Sequence, residues 1–264
     1  MNSNPLFNNT IVLLGSGNVA THLGIALQEK GFSIVQVYSR TLDSAKSLGN
    51  KLQTNYTNNI KEVVANADIY LFSVKDAALP EILKQLPPLS GLLVHTAGSV
   101  PIQAFANYSE RRGVLYPLQT FSKNRQLSFN DLPFFIEANR PEDETLLEKI
   151  ALTLSNKVVH LSSEKRKQLH LAAVLACNFT NHLYASAANI LEEQGLDWNL
   201  LLPLIQETAA KVKDLHPKEA QTGPAVRYDE NVINAHLEML KDKPYLQELY
   251  ELLSQSIFKN HERT

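Results

Sequence analysis

The 264-residue chain predicts an α/β fold, a doubly wound parallel sheet followed by an all-α C-terminal domain. Two observations carry this expectation. Through residue 161, short β-branched and aromatic runs alternate with amphipathic stretches, the order that builds a parallel sheet covered by helices. From residue 162 the β signal stops and helical periodicity takes over. Domains are therefore expected at 1–161 and 162–264. A composition of 44% hydrophobic and 20% charged residues is that of a soluble globular protein long enough to bury a sizeable core.

Strands are expected at Thr10–Leu14, Ile34–Ser39, Ile69–Val74, Leu92–Thr96, Gly113–Leu118, Pro133–Glu137 and Val158–Leu161, short runs bounded by turn-forming residues. Amphipathic segments fall between them near 18–30, 43–53, 59–66, 77–86 and 142–155. Gly31 stops the first of these. Residues 122–132 are polar and rich in Asn and Ser, hence a loop. A long helix is expected from about Ser163 to Gln194, closed by Gly195, with further helices after it. No internal repeat or low-complexity tract interrupts the chain.

Composition excludes several classes. A net charge of -2 with no basic run argues against nucleic acid. The single cysteine, Cys177, rules out an internal disulfide and fits a reducing compartment, so a cytoplasmic protein is expected. Residues 1–10 lack a basic n-region, and the apolar run that follows is too short for a signal peptide or a membrane span. No His, Asp or Glu set has metal-ligand spacing, so no metal is expected. Asn-x-Ser/Thr triplets at Asn8, Asn107 and Asn178 carry no message in a cytoplasmic chain.

Gly15-Ser16-Gly17-Asn18-Val19-Ala20 directly follows the apolar run Ile11–Leu14. This is a G-x-G-x-x-A turn between a buried strand and a helix, the place where a Rossmann unit holds a dinucleotide pyrophosphate. Gly15 permits the tight turn, Gly17 lets backbone N–H groups approach the phosphates, and Ala20 lets helix and strand pack closely. The phosphates would then meet the positive end of the helix. Gly15, Ser16, Gly17, Asn18 and Val19 are the first cofactor-binding candidates.

The end of the second strand discriminates between nucleotides. A ribose 2′-hydroxyl is met by Asp or Glu there, a 2′-phosphate by Arg and hydroxyls. The sequence reads Tyr38-Ser39-Arg40-Thr41, with Asp43 lying beyond the strand as an expected cap of the next helix. Arg40 offers a planar fork and Ser39 and Thr41 offer hydroxyls, so NADP is expected. The competing reading of Arg40 is a solvated strand-ending side chain. Val74 and Lys75 end the next apolar strand on the same side of the sheet, Val74 to cover a ring and Lys75 to reach an anion. His95, after a further strand, is a candidate proton donor or a packed, hydrogen-bonded residue.

Together GSGNVA, YSRT, FSVKDAA, VHTAGSVP, YPLQTF and TGPAVRYDE resemble a group of Rossmann-like NADP oxidoreductases whose C-terminal helical half is a domain of unknown function. More distantly the layout is similar to pyrroline-carboxylate reductase, phosphogluconate-type hydroxyacid dehydrogenases and ketopantoate reductase. The resemblance implies a nicotinamide-dependent oxidoreductase with its small-molecule substrate between the domains, and a homodimer formed through the helical half.

In such enzymes substrate-handling residues project from the first long helix of the second domain. About 100° per residue would put His170, Cys177 and Asn181 close to one line, with Asn178 about 80° round. His170, Asn178 and Asn181 thus interrupt an apolar stretch and need partners, from the first domain or from a pocket. The lysine with asparagine four residues on, found in phosphogluconate-type enzymes, is absent: Leu169, Leu171 and Val174 follow Lys165, Lys167 and His170 at that spacing. His170, Asn178 and His95 are therefore the catalytic candidates. Gln119, Asn181, Thr222 and Arg227 are substrate candidates, with Thr120 beside Gln119, Tyr116 and Phe121 expected to pack, and Arg227 alternatively in an ion pair. Cys177, among Ala and Leu, has no charged neighbour to form a thiolate.

The expected reaction is hydride transfer between nicotinamide and a small C=O or C=N substrate in the interdomain cleft. The alternatives are a non-catalytic dinucleotide-binding sensor and a deazaflavin-linked NADP reductase.

Overall fold

A strand that is apolar on both faces requires cover on both, and β1 (Thr10–Leu14) meets that requirement. In the computed structural model, which describes residues 8–262, Ile11 and Leu13 join a core cluster on one face of the sheet while Val12 and Leu14 join a second cluster on the other. Residues 1–7, on which part of the leader expectation rests, lie outside the described residues.

The other strands are β2 (Ser33–Tyr38), β3 (Asn55–Thr57), β4 (Ile69–Phe72), β5 (Leu92–His95), β6 (Arg112–Pro117), β7 (Phe134–Ala138) and β8 (Val158–His160). They form one eight-stranded sheet in the order β3-β2-β1-β4-β5-β6-β7-β8. Helices α1 (Asn18–Glu29), α2 (Leu42–Lys51), α3 (Leu79–Gln85) and α4 (Pro141–Leu154) connect the strands. Strand order reverses direction between β1 and β4, the switch point where doubly wound sheets bind ligands at their carboxyl ends. Every pairing is parallel except β6 with β7. Residues 118–133 carry no crossover helix, so the chain returns antiparallel. That loop consequently lies at the carboxyl edge of β6.

The expected strands all form, but Ser39, Ser73, Val74, Thr96 and Leu118 leave the ladder at that edge. β3 was not expected: Asn55 and Tyr56 are exposed and polar at the sheet margin, so no apolar pattern announces it. The segment 59–66 is not a helix; only Ile60–Glu62 makes a 3₁₀ turn, with the Lys61 N–H donating to the Asn59 side-chain oxygen. Thr41, not Asp43, occupies the cap of α2, and Asp43 sits in its first turn, where the helix dipole favours it.

Beyond β8 the chain is helical: α5 (Ser163–Ala173), α6 (Thr180–Glu193), α7 (Leu202–Asp214), α8 (Pro217–Ala220), α9 (Glu230–Met239) and α10 (Pro244–Glu262). A π-helical stretch, Val174–Phe179, separates α5 from α6 in what the sequence predicts as one helix. Gly195, at φ +69°, ends α6 as expected. Two compact units result, the first extending to Cys177 and the second beginning at Asn178. Secondary structure changes class at residues 160–163, yet α5 belongs to the first unit. Arg166 on α5 is 1% exposed and bonds Glu137 on β7 and the Val100 carbonyl. No described helix is long and apolar enough to cross a membrane.

Candidate functional site

The carboxyl edge of the parallel strands gathers most of the expected cofactor residues. Gly15 has φ +117°, and its N–H donates to the Tyr38 carbonyl at 2.8 Å. A Cβ at Gly15 would lie 2.3 Å from the Ser73 carbonyl oxygen, so only glycine fits. Gly17 differs: a Cβ there would meet nothing within 4 Å. No protein atom demands glycine at Gly17, and the open space leaves backbone for a ligand to approach. Gly17 also caps α1 without a side-chain hydrogen bond, and no acidic residue occupies the first turn. The helix thus presents uncommitted N–H groups and a positive end, which fit a dinucleotide pyrophosphate.

Side chains join this turn to its neighbours. The Ser16 hydroxyl donates to Ser39 Oγ at 2.8 Å, tying the glycine turn to the end of β2. Arg40 is exposed beside it, with no ion pair among the described residues, and Thr41 donates its hydroxyl to Ser44. The Asn18 amide donates to the Phe121 carbonyl at 2.6 Å, and His22 Nε2–H donates to the Ser122 carbonyl at 2.9 Å. The side chain of Asn18 is therefore committed to the 118–133 loop. Val74 is half-buried and adjoins Gly15, while Lys75 is exposed.

His95 closes β5 but is 1% exposed, packed against Phe105. Burial and then the Arg166 guanidinium push its pKa down to about 3. Nδ1 accepts from the Ala97 N–H, and Nε2 is buried without a hydrogen bond. A sealed, neutral imidazole holds structure and has no route for giving a proton to a ligand. His170 is different. It is half-buried on α5, with Nδ1 3.1 Å from the hydroxyl of Tyr116 near the end of β6. Burial lifts the Tyr116 pKa, opposed by Arg166, so the phenol stays protonated near neutrality.

The remaining candidates are exposed. Gln119 is exposed with its side-chain oxygen taken by the Thr120 N–H. Cys177, Asn178 and Asn181 are exposed, not buried polar groups in need of partners, and the π-helical stretch breaks the regular angular phase that aligned them. In the second unit, Thr222 and Arg227 are exposed in a turn anchored by Ala225 and by Tyr228 packed against Phe258 with the rings tilted; Arg227 has no ion pair among the described residues. No group of described residues could hold a metal ion. The sequence reading missed Arg166, Glu137 and Ser163, and cast Tyr116 as packing only. The i, i+4 spacing of Arg166 and His170 on α5 was the available signal.

A solved structure from Bacteroides fragilis, a candidate NADP oxidoreductase, shares 52% identity over 96% of this chain and 99% of its own, with a TM-score of 0.91. The chain belongs to the NADP oxidoreductase family. Residues 10–96 of this oxidoreductase match the family described as NADP oxidoreductase coenzyme F420-dependent, and residues 132–257 match a domain of unknown function (DUF2520). A Thermotoga maritima protein is 22% identical over 96% of the oxidoreductase and 98% of its own length, with a TM-score of 0.69. A pyrroline-5-carboxylate reductase from Streptococcus pyogenes is 12% identical over 95% and 98%, with a TM-score of 0.63, a likeness of fold alone. No curated protein matches the oxidoreductase.

Proposed function

We propose that this protein is an NADP-dependent enzyme that transfers a hydride between the nicotinamide and a small C=O or C=N substrate. The observation that carries it is the uncapped, unobstructed turn at Gly17, flanked by Arg40 at the end of β2. When bound, the nicotinamide supplies or takes the hydride at its C4. The backbone of Gly15–Val19 holds the pyrophosphate, and Ser39, Arg40 and Thr41 hold the 2′-phosphate in place of the carboxylate that NAD would need. Val74 covers a ring face, and Lys75 adds positive charge. The 118–133 loop is tied to the start of α1 beside this turn by Asn18 and His22.

Titrating the full-length protein with NADPH and NADH by nicotinamide fluorescence tests the cofactor. NADPH should bind at least about tenfold more tightly, the scale of one charge-assisted contact. Equal affinities would overturn the choice of NADP. A panel of small keto acids and cyclic imines then tests turnover. Tight NADPH binding with no turnover on any of them would favour a sensor.

A second reading, in which a deazaflavin exchanges hydride with NADP, draws on the coenzyme F420-dependent family that residues 10–96 match. Bleaching of oxidised deazaflavin by NADPH would support it, and an unchanged spectrum would remove it.

The helical unit is proposed to pair with a second copy. Leu196, Leu200, Leu204, Met239, Tyr245 and Leu252 are exposed there, and such surface ordinarily finds a partner. A cytoplasmic location fits the single, unpaired Cys177. Light scattering on the purified protein should give twice the mass of the chain, and a monomeric mass would remove the dimer.

A further inference from the structure

We propose that Tyr116 and His170 are a proton-handling pair, in which Tyr116 holds the proton on His170 Nδ1 and His170 Nε2 exchanges a proton with the substrate, and that Gly98 is what admits the imidazole to this place. The proposal rests on the hydride-transfer reading above.

The geometry is assembled from three elements. Tyr116 is near the carboxyl end of β6, Gly98 follows the carboxyl end of β5, and His170 comes from α5. They share the sheet edge with Gly15, Ser39 and Ser73, where a doubly wound sheet binds its ligands. Tyr116 Oη and His170 Nδ1 are 3.1 Å apart, with the rings edge to face at 74°. Tyr116 is buried, His170 is half-buried, and His170 Nε2 has no hydrogen bond among the described residues.

Gly98 sets the position of the imidazole. A Cβ on Gly98 would lie 2.6 Å from His170 Nδ1 and 2.7 Å from its Cγ, so the ring stands where any larger residue would put its side chain. The backbone cannot retreat to make room. The Ala97 N–H bonds His95, the Ser99 hydroxyl donates to Asp76, and the Val100 carbonyl accepts from the buried Arg166. Arg166 is itself neutralised by Glu137. The charged groups that act on Tyr116 are Arg166 from α5 and Asp76 from the segment after β4, of opposite sign.

The chemistry balances with one proton. In the reducing direction, hydride adds to the carbon of C=O or C=N and the π electron pair moves to oxygen or nitrogen. That atom takes the proton from His170 Nε2; the N–H electrons stay on Nε2, and the neutral ring keeps its Nδ1 proton, donated to Tyr116 Oη. In the oxidising direction Nε2 takes the proton from the hydroxyl or amine as hydride leaves. Tyr116 keeps its own proton throughout and is a positioning residue, while His170 is the catalytic one.

Imidazole nitrogen spectra of the ¹⁵N-histidine-labelled full-length protein test the pair directly, with His170 assigned by its loss in His170→Gln. The neutral ring should carry its proton on Nδ1 in the wild type and shift to Nε2 in Tyr116→Phe and Gly98→Ala. A wild-type ring protonated at Nε2, or one unchanged in both variants, would overturn the proposal. With a substrate from the panel, His170→Gln should lower kcat about 100-fold with NADPH affinity within twofold of wild type. Tyr116→Phe should displace the midpoint of the pH profile. Unaltered profiles in both would also overturn it. If NADPH does not bind the wild type, the hydride-transfer reading fails, and the tautomer spectra still judge the pair.

Discussion

Gly15 and Ser73 meet so closely that a β-carbon on the first would lie 2.3 Å from the carbonyl oxygen of the second. Gly17, two residues on, would carry a β-carbon into open space. The two glycines of one motif therefore answer different demands, one from the protein and one from the ligand. Gly15→Ala should destabilise the fold by more than about 1 kcal/mol, because φ +117° and the Ser73 contact both resist it. Gly17→Ala should leave the urea midpoint unchanged and weaken NADPH binding. Equal stability losses in both variants would contradict this division.

Arg40 is exposed, with no ion pair among the described residues, and so costs the fold little when removed. Arg40→Ala should weaken NADPH binding by about 1–3 kcal/mol and leave NADH binding nearly unchanged, in side-by-side fluorescence titrations. Parallel losses for both nucleotides would show that Arg40 shapes the strand end and does not read the phosphate.

Glu137 is the carboxylate partner of Arg166, a guanidinium 1% exposed. Glu137→Ala leaves that charge buried and unpaired, and should cost about 3–5 kcal/mol in urea unfolding. Because Arg166 also bonds the Val100 carbonyl, the loss should loosen the 97–100 loop. Amide exchange at Ile102, whose N–H donates to Ser163, reports it. Unchanged exchange there would separate the ion pair from the loop.

His95 supplies a pH dependence. Its folded pKa of about 3 lies below the ordinary histidine value, chiefly through burial. Above about pH 6.5 folded and unfolded states both hold it neutral, and it has no effect on stability. As pH falls from about 6.5 towards 3, only the unfolded chain takes the proton, and stability falls by at most about 1.4 kcal/mol per pH unit. His95→Gln should flatten the acid limb of a Tm-against-pH curve, whatever it does at pH 8. An acid limb as steep as that of the wild type would place the sensitivity elsewhere.

Much of the sheet was legible because its strands are apolar on both faces and bounded by glycine, proline or polar residues. The edge strand Asn55–Thr57 was not, since exposed pairing leaves no hydrophobic signature. The glycine turn, Arg40 and the loop at 122–132 were readable as local chemistry. His170 was readable as a polar interruption, whereas its partner Tyr116 sits on a strand far away in the chain and looked like any packed aromatic. The regular phase assumed for residues 170–181 failed at Val174–Phe179, where a π-helical stretch changes the residues per turn.

By itself the sequence determined what local sterics and patterning control: the α/β order, the phosphate-binding turn, the absence of a carboxylate at the end of β2, and the change to helix after β8. Tertiary structure alone decided which polar side chains are sealed and which are reachable. It buried His95 beside Phe105 and Arg166, left Asn178 and Asn181 exposed, and brought His170 to Tyr116 through the space that Gly98 leaves. Burial and long-range contact depend on how the elements pack, and a residue's neighbours in the chain do not record them.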